Sequence, residues 1–474
     1  MGGVEQTTVR TSIQDAWSSS VLPSLSELVR IPAVSQNFDP EWAEHGQLHA
    51  AVAHVRDWLN ARKLPGARVE IVQLDGRSPL LLLDVPGTAD AGTVLLYGHL
   101  DKQPPMGGWS AGLDPWEPVV RDGKLFGRGA ADDGYAGYAA TTAIEAVRAA
   151  GGTHSRCVVL LETGEESGSP DLPAYLEQLR DQLGAVNLVV CLDSGGNDYE
   201  RLWLTTSLRG LVSLDVTVRV LESGQHSGLA SGVVPSSFRV MRQLLDRVED
   251  STTGEILLPE LNVRVPENRV AEARSSADAA PGAIRGAFPL VAGGRPVVAD
   301  EAELVLNNSW RPTLSVIGAA GFPEPLDAGN VLRPYSTLTL SFRLPPTADA
   351  SAALAAVQRA LTTDVPYGAE VTLSRVEAQG GWNAPDLAPW LEATLDTVGD
   401  RVFGAPCGTI GLGGSIPFMG LLASTYPEAQ FVITGALGQD SNAHVPDEWL
   451  HLDQAQRVTE AVAHILHAHA TRNL

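Results

Sequence analysis

The stretch TVLLYGHLD, residues 93–101, decides how the fold is read. It is a short apolar run that stops abruptly in polar residues. Strands buried on both faces of a sheet look like this, and open α/β sheets bind ligands beyond the carboxyl ends of their strands. Two runs of the same kind follow, RCVVLLE (156–162) and NLVVCLD (187–193). Shorter strand-like runs precede them at 69–74 and 80–85. Helical patterns at 13–31, 46–63, 133–150 and 172–183 alternate with the strands. That alternation predicts an α/β domain with a mostly parallel central sheet covered on both faces.

The pattern changes near Leu208. LVSLDVTVRV (211–220) alternates with period two, as does TLTLSFRL (337–344), so each reads as a half-exposed strand. Helices are expected at 236–249 and 351–362, and a further strand at 370–374. A Ser/Ala/Gly/Pro-rich stretch at 250–300 reads as loops and short helices. The expectation is an α+β domain, 209–380, inserted into an α/β domain made of 1–208 and 381–474. The α/β pattern resumes near Trp382 and ends in a helix at 453–469.

Composition narrows the function classes. The 474 residues carry 33 Lys+Arg against 56 Asp+Glu, a formal charge of −23. Hydrophobic residues at 44% and charged residues at 19% exclude wholesale disorder. The acidity and the lack of a Lys/Arg cluster argue against a nucleic-acid or anionic-membrane partner; a metal cation suits surplus carboxylates better. Cys157, Cys191 and Cys407 lie far apart without a C-x-x-C, which argues against a disulfide framework. No signal-peptide pattern and no apolar run of ~20 residues is seen, so a soluble, cytoplasmic protein is expected.

Metal-type ligands gather at the strand ends. His99 and Asp101 form H-x-D and share one side of a strand end; one would ligate while the other orients it. Asp132 and Asp133 follow GRGAA and open a helical pattern, where Asp also serves as a helix cap. Glu165 and Glu166 follow VVLLET. As a pair they could divide the work of metal ligand and general base, or be merely solvated. Asp193 ends LVVCLD, and His444 lies in SNAHVPDE after the run FVITG. Nitrogen and oxygen donors without cysteine suit zinc first, with manganese or cobalt as alternatives.

These residues and their surroundings resemble the M20 family of metallopeptidases, in its branch of dipeptidases related to carnosinase. The matching segments are GHLD (98–101), FGRGAADDG (126–134), ETGEESGS (162–169), Asp193, GQHSG (224–228), SFRL (341–344), GGSIP (413–417) and SNAH (441–444), in the family's order. The resemblance implies a zinc-peptidase-like catalytic domain and an inserted lid domain that commonly dimerises. It implies two divalent metals, one held by His99 and Asp193, the other by Glu166 and His444, with Asp132 bridging. It makes Glu165 the general base, Asp101 the residue orienting His99, and His226 a donor reaching a partner subunit's site. Arg343 would grip a substrate carboxylate, with Asn330, Gly414 and Ser415 as further substrate contacts.

Two departures stand out. Many members carry a lysine after the Asp-Asp turn, where this chain has Gly134-Tyr135. Many dipeptidases carry Arg-Glu before GGSIP, where this chain has Gly411-Leu412, so a more apolar substrate is expected. The expected activity is hydrolysis of dipeptides or short peptides, with an N-acyl-amino-acid amidohydrolase as the alternative. A non-catalytic metal-binding protein fits less well, because it has no need of Glu165. A serine hydrolase fits worse still, since no G-x-S-x-G occurs.

Overall fold

The structure is a computed structural model that describes residues 5–62, 64–414 and 417–472. Its central sheet has six strands, in the order Arg68–Val72, Leu80–Val85, Arg156–Glu162, Thr93–His99, Val186–Cys191 and Gln430–Ile433. The last four run parallel, and the first two are antiparallel at one edge. The expected mostly parallel α/β sheet is therefore present.

Alternation along each strand divides the core in two. Val94, Leu96, Val159, Leu161, Leu188 and Val190 face a layer that includes Ala136–Ala149 and Leu452–Thr471. Leu95, Tyr97, Val158, Leu160 and Val189 face the other layer, which includes Leu172 and Tyr175. Each such side chain contributes about 1.5–3 kcal/mol of burial. Cys157 and Cys191 fall on opposite faces, so they cannot meet.

Helix Ala136–Ala149 is buried on nearly every side, which its small residues permit. A Cβ on Gly137 would lie 2.6 Å from Leu161, and one on Gly98 would lie 2.6 Å from the Cβ of Ala136. The helix thus sits hard against the strand that ends in His99. It starts later than the sequence suggests. Residues 130–134 form an irregular turn, Asp132 has extended φ/ψ, and its peptide bond to Asp133 is cis. Neither aspartate caps the helix.

A second sheet is wholly antiparallel, in the order Thr313–Ala320, Tyr335–Leu344, Gly210–Arg219, Glu370–Gln379. Helices Ser237–Leu245 and Ala350–Thr362 cover one face around Val212, Leu214, Val216 and Phe342. A small sheet of Trp203–Leu208, Trp382–Asn383 and Gly408–Leu412 lies where the chain passes between the two.

The stretch read as loops and short helices holds a thirteen-residue helix, Glu267–Ala279. Its inward residues are Arg269, Ala273 and Ser276, so it shows no apolar stripe. Arg269 is anchored instead by Glu272 at 2.6 Å, Asn383 at 2.9 Å and the carbonyl of Ala384 at 2.8 Å.

Candidate active site

Three parallel strands deliver the first groups. His99 ends its own strand and is fully buried. Glu165 and Glu166 follow the strand ending at Glu162, and Asp193 follows the one ending at Cys191. Asp132 comes from the turn before helix Ala136–Ala149, and His444 from the loop after Gln430–Ile433, where it holds a positive φ.

His99 Nδ1 lies 3.0 Å from the carbonyl of Asp101, the acceptor that places the ring proton on Nδ1. Nε2 then offers its lone pair to the cluster. It lies 3.2 Å from Asp132 Oδ1 and 3.9 Å from both Glu165 and Asp193. The second oxygen of Asp132 is 2.9 Å from His444 Nε2, which is 3.3 Å from Glu166. Two groups of donors result, His99–Asp132–Asp193 and Asp132–Glu166–His444, each with its ligand atoms within 4.8 Å of one another. Asp132 belongs to both. Glu165 belongs to neither and stands beside the first.

Asp101 does more than face His99. Its carboxylate is 3.5 Å from Nδ1, but it accepts the backbone N–H groups of Glu165 at 3.2 Å and Glu166 at 3.0 Å. It therefore fixes the turn carrying both glutamates. Gln103 donates to Glu166 at 2.7 Å.

The electrostatics suit divalent cations. Burial, reinforced by Asp193, holds the Glu165 carboxyl well above its usual range, and burial with His99 opposing does the same for Asp193. Burial and Asp132 push Glu166 up to about 8. The hydrogen bond to Asp132 raises His444 to about 9. In the metal-free protein, protons stand in for missing positive charge. Imidazole and carboxylate donors without thiolate fit a hard or borderline divalent metal.

This gives a pH dependence of definite sign. Glu166 and His444 have folded-state values above their unfolded ones, so the folded metal-free chain holds extra protons and loses stability as pH rises through about 4.5 to 9. Metal binding expels those protons and strengthens over the same range. The gain in melting temperature on adding zinc should be larger at about pH 8.5 than at about pH 6. A gain independent of pH, followed by thermal melting, would refute these assignments.

Sequence reading missed the support beneath Asp132. Glu448 is completely buried and ion-paired to Arg128 at 2.7 Å. It also accepts the backbone N–H groups of Gly129, Ala131 and Asp132 at 3.0–3.3 Å. Tyr135, at one of the departures from the family pattern, donates to the carbonyl of Leu192 at 2.6 Å and accepts from the N–H of Ala436 at 2.9 Å. It ties the Asp132 turn to the Asp193 strand end and to the chain leading to His444.

His226, Asn330, Arg343 and Gly414 belong to neither donor group. His226 is exposed beside Asn330, in a two-residue strand, Gln225–His226, that pairs with Val331–Leu332. Its Nδ1 accepts from the N–H of Gly228 at 3.1 Å, leaving Nε2 as the donor nitrogen. Arg343 is half-buried on Tyr335–Leu344, opposite Leu211. Burial lowers its pKa against the opposing pull of Glu377, and burial together with Arg343 lowers Arg209 to about 10. Arg209 holds the glycine loop through the carbonyls of Gly413 at 3.1 Å and Gly414 at 3.2 Å. Ser415 lies outside the described residues.

Known proteins resemble the chain over much of its length. A family model described as peptidase family M20/M25/M40 matches residues 95–468. The cysteinylglycine-S-conjugate dipeptidase of Corynebacterium striatum is 26% identical over 452 residues, covering 94% of both chains. The human Beta-Ala-His dipeptidase is 30% identical over 257 residues, covering 52% of this chain and 50% of its own. Among solved structures, the dipeptidase Dug1p of Saccharomyces cerevisiae superimposes with a TM-score of 0.79 at 20% identity over 100% of both chains. Human carnosine dipeptidase 1 does so with a TM-score of 0.78 at 24% identity, over 98% of this chain and 99% of its own.

Proposed function

Because this chain belongs to peptidase family M20/M25/M40, we propose that its two donor groups form a dinuclear centre, with zinc as the first candidate metal, that hydrolyses dipeptides. The enzyme class is a metal-dependent peptidase, and dipeptidases are prominent among its relatives. One observation carries the reading. Two ligand groups share Asp132, and an uncommitted carboxylate, Glu165, stands beside them.

When bound, the divalent ions supply the Lewis acidity that makes water nucleophilic and polarises the scissile carbonyl. The chain's own residues do the rest. Asp132 holds the two donor groups in register, and Asp101 fixes the Glu165–Glu166 turn. Glu165 takes the proton from the attacking water, whose oxygen bonds to the carbonyl carbon. It then delivers that proton to the leaving nitrogen as the C–N bond breaks. Standing outside both ligand groups, its carboxylate is available to accept and return that proton. Arg343 presents a planar cation to the substrate's carboxylate.

His226 completes the site of a second copy by donating from Nε2 to the oxygen that becomes negative. Two features favour a homodimer formed through a lid domain at 209–380. The edge strand Thr313–Ala320 exposes Val316 and Ile317, and Leu229, Val233 and Val331 are exposed around His226. An apolar edge of this kind calls for a cover. A cytoplasmic location is part of the same reading: Cys157, Cys191 and Cys407 are free, and among the described residues no helix is long and apolar enough to cross a membrane.

Mixing two inactive variants tests the shared site. His226→Ala and Glu165→Gln should each be inactive alone. Refolded together, they form heterodimers in which one site has both groups, restoring about a quarter of wild-type turnover. No recovery in a mixture whose heterodimers are demonstrated by mass would refute a site shared between copies.

A further inference from the structure

A cavity of about 300 Å³ is lined by Gly196, Ile284, Phe288, Ile410, Leu412 and Asp440 among others. Two of its lining segments adjoin in sequence the residues that carry the chemistry. Gly196 lies three residues beyond Asp193, and its N–H donates to the carbonyl of Leu437 at 3.0 Å. Asp193 itself bridges to Gly435, in the segment that leads through Asp440 to His444. A second cavity, of about 390 Å³, shares Ile284, Phe288 and Asn308 with the first and extends to Arg209.

The walls of the first cavity are mainly apolar. Among the described residues no Lys or Arg lines it, and Asp440 is its one carboxylate, beside the neutral Asn197, Asn308 and Gln439. Phe288 turns 58% of its surface to solvent, although a side chain of its size normally finds cover. Leu412, where the sequence departs from the family pattern, contributes to the same wall. The volume is about ten times that of a liquid water molecule, too large for a packing defect.

We infer that this cavity receives a large apolar group of the substrate next to the scissile amide, so that this chain prefers substrates bearing such a group over small or polar dipeptides. The inference rests on the metal cluster being the peptidase centre. The same chemistry could come from the side chain of a dipeptide's first residue or from the acyl group of an N-acyl amino acid.

Calorimetry on the zinc-loaded Glu165→Gln protein, which binds without turnover, tests it. The probes are glycylglycine, leucylglycine and N-hexanoylglycine. At least one of the two apolar probes should bind about ten- to a hundred-fold more tightly than glycylglycine, and the favoured probe identifies the source of the group. In Leu412→Glu and Phe288→Ser backgrounds the advantage should shrink about ten-fold or more; the second change sits on an exposed side chain and guards against misfolding of the first. Equal affinities for all three probes, or an advantage untouched by both changes, would overturn the inference. Turnover of the same compounds by the wild-type enzyme is read separately. Apolar-selective binding with no hydrolysis would remove the peptidase reading and leave the pocket standing.

Discussion

Glu165→Gln is expected to lower kcat by about 10²–10⁴-fold while the protein still binds its metal. The change is nearly isosteric, but an amide cannot accept the water's proton. The site predicts this separation of effects because Glu165 stands outside both ligand groups, 3.9 Å from His99 Nε2. Stability of the metal-free protein should not fall. Glu165 lies among Asp193, Glu166 and Asp132, and a neutral amide adds no charge to that group. Metal analysis and kinetics on one preparation check the claim. An active variant would remove Glu165 from the mechanism, and loss of metal along with activity would make it a ligand instead.

Glu448→Ala should have the second-largest effect, through a residue that belongs to neither donor group. Breaking a buried ion pair leaves Arg128 charged and uncompensated, at about 3–5 kcal/mol. The change also releases three backbone N–H groups that hold the Asp132 turn. Metal affinity should fall about 10–100-fold, as it does when the support of a ligand is lost. Glu448→Gln keeps an acceptor for those N–H groups and should recover part of the metal affinity. Excess metal should then restore activity to Glu448→Gln more fully than to Glu448→Ala. Urea unfolding and metal titration measure the two effects; wild-type values for Glu448→Ala in both would contradict the supporting role.

Much of the sheet was legible because each strand is a compact apolar run. His99, Glu165, Glu166 and Asp193 mark where those runs stop, and parallel strands stop on the same side. Asp132 and His444 were visible as polar residues after a glycine-rich turn and an apolar run. What escaped depends on contacts between distant parts of the chain. Glu448 reads as one more acid in SNAHVPDE, yet its partner lies 320 residues away. That same contact holds the irregular turn ahead of helix Ala136–Ala149 through the N–H groups of Gly129, Ala131 and Asp132. Helix Glu267–Ala279 escaped because Arg269 and Ser276, rather than a row of leucines, face inward.

The central claim is that peptide hydrolysis at this cluster depends on two metal ions held across Asp132. The most direct test strips the enzyme with a chelator and titrates zinc back while following dipeptide hydrolysis. Activity should vanish on stripping, return with added metal and saturate near about two equivalents per chain. Hydrolysis that survives exhaustive removal of metal would contradict the account.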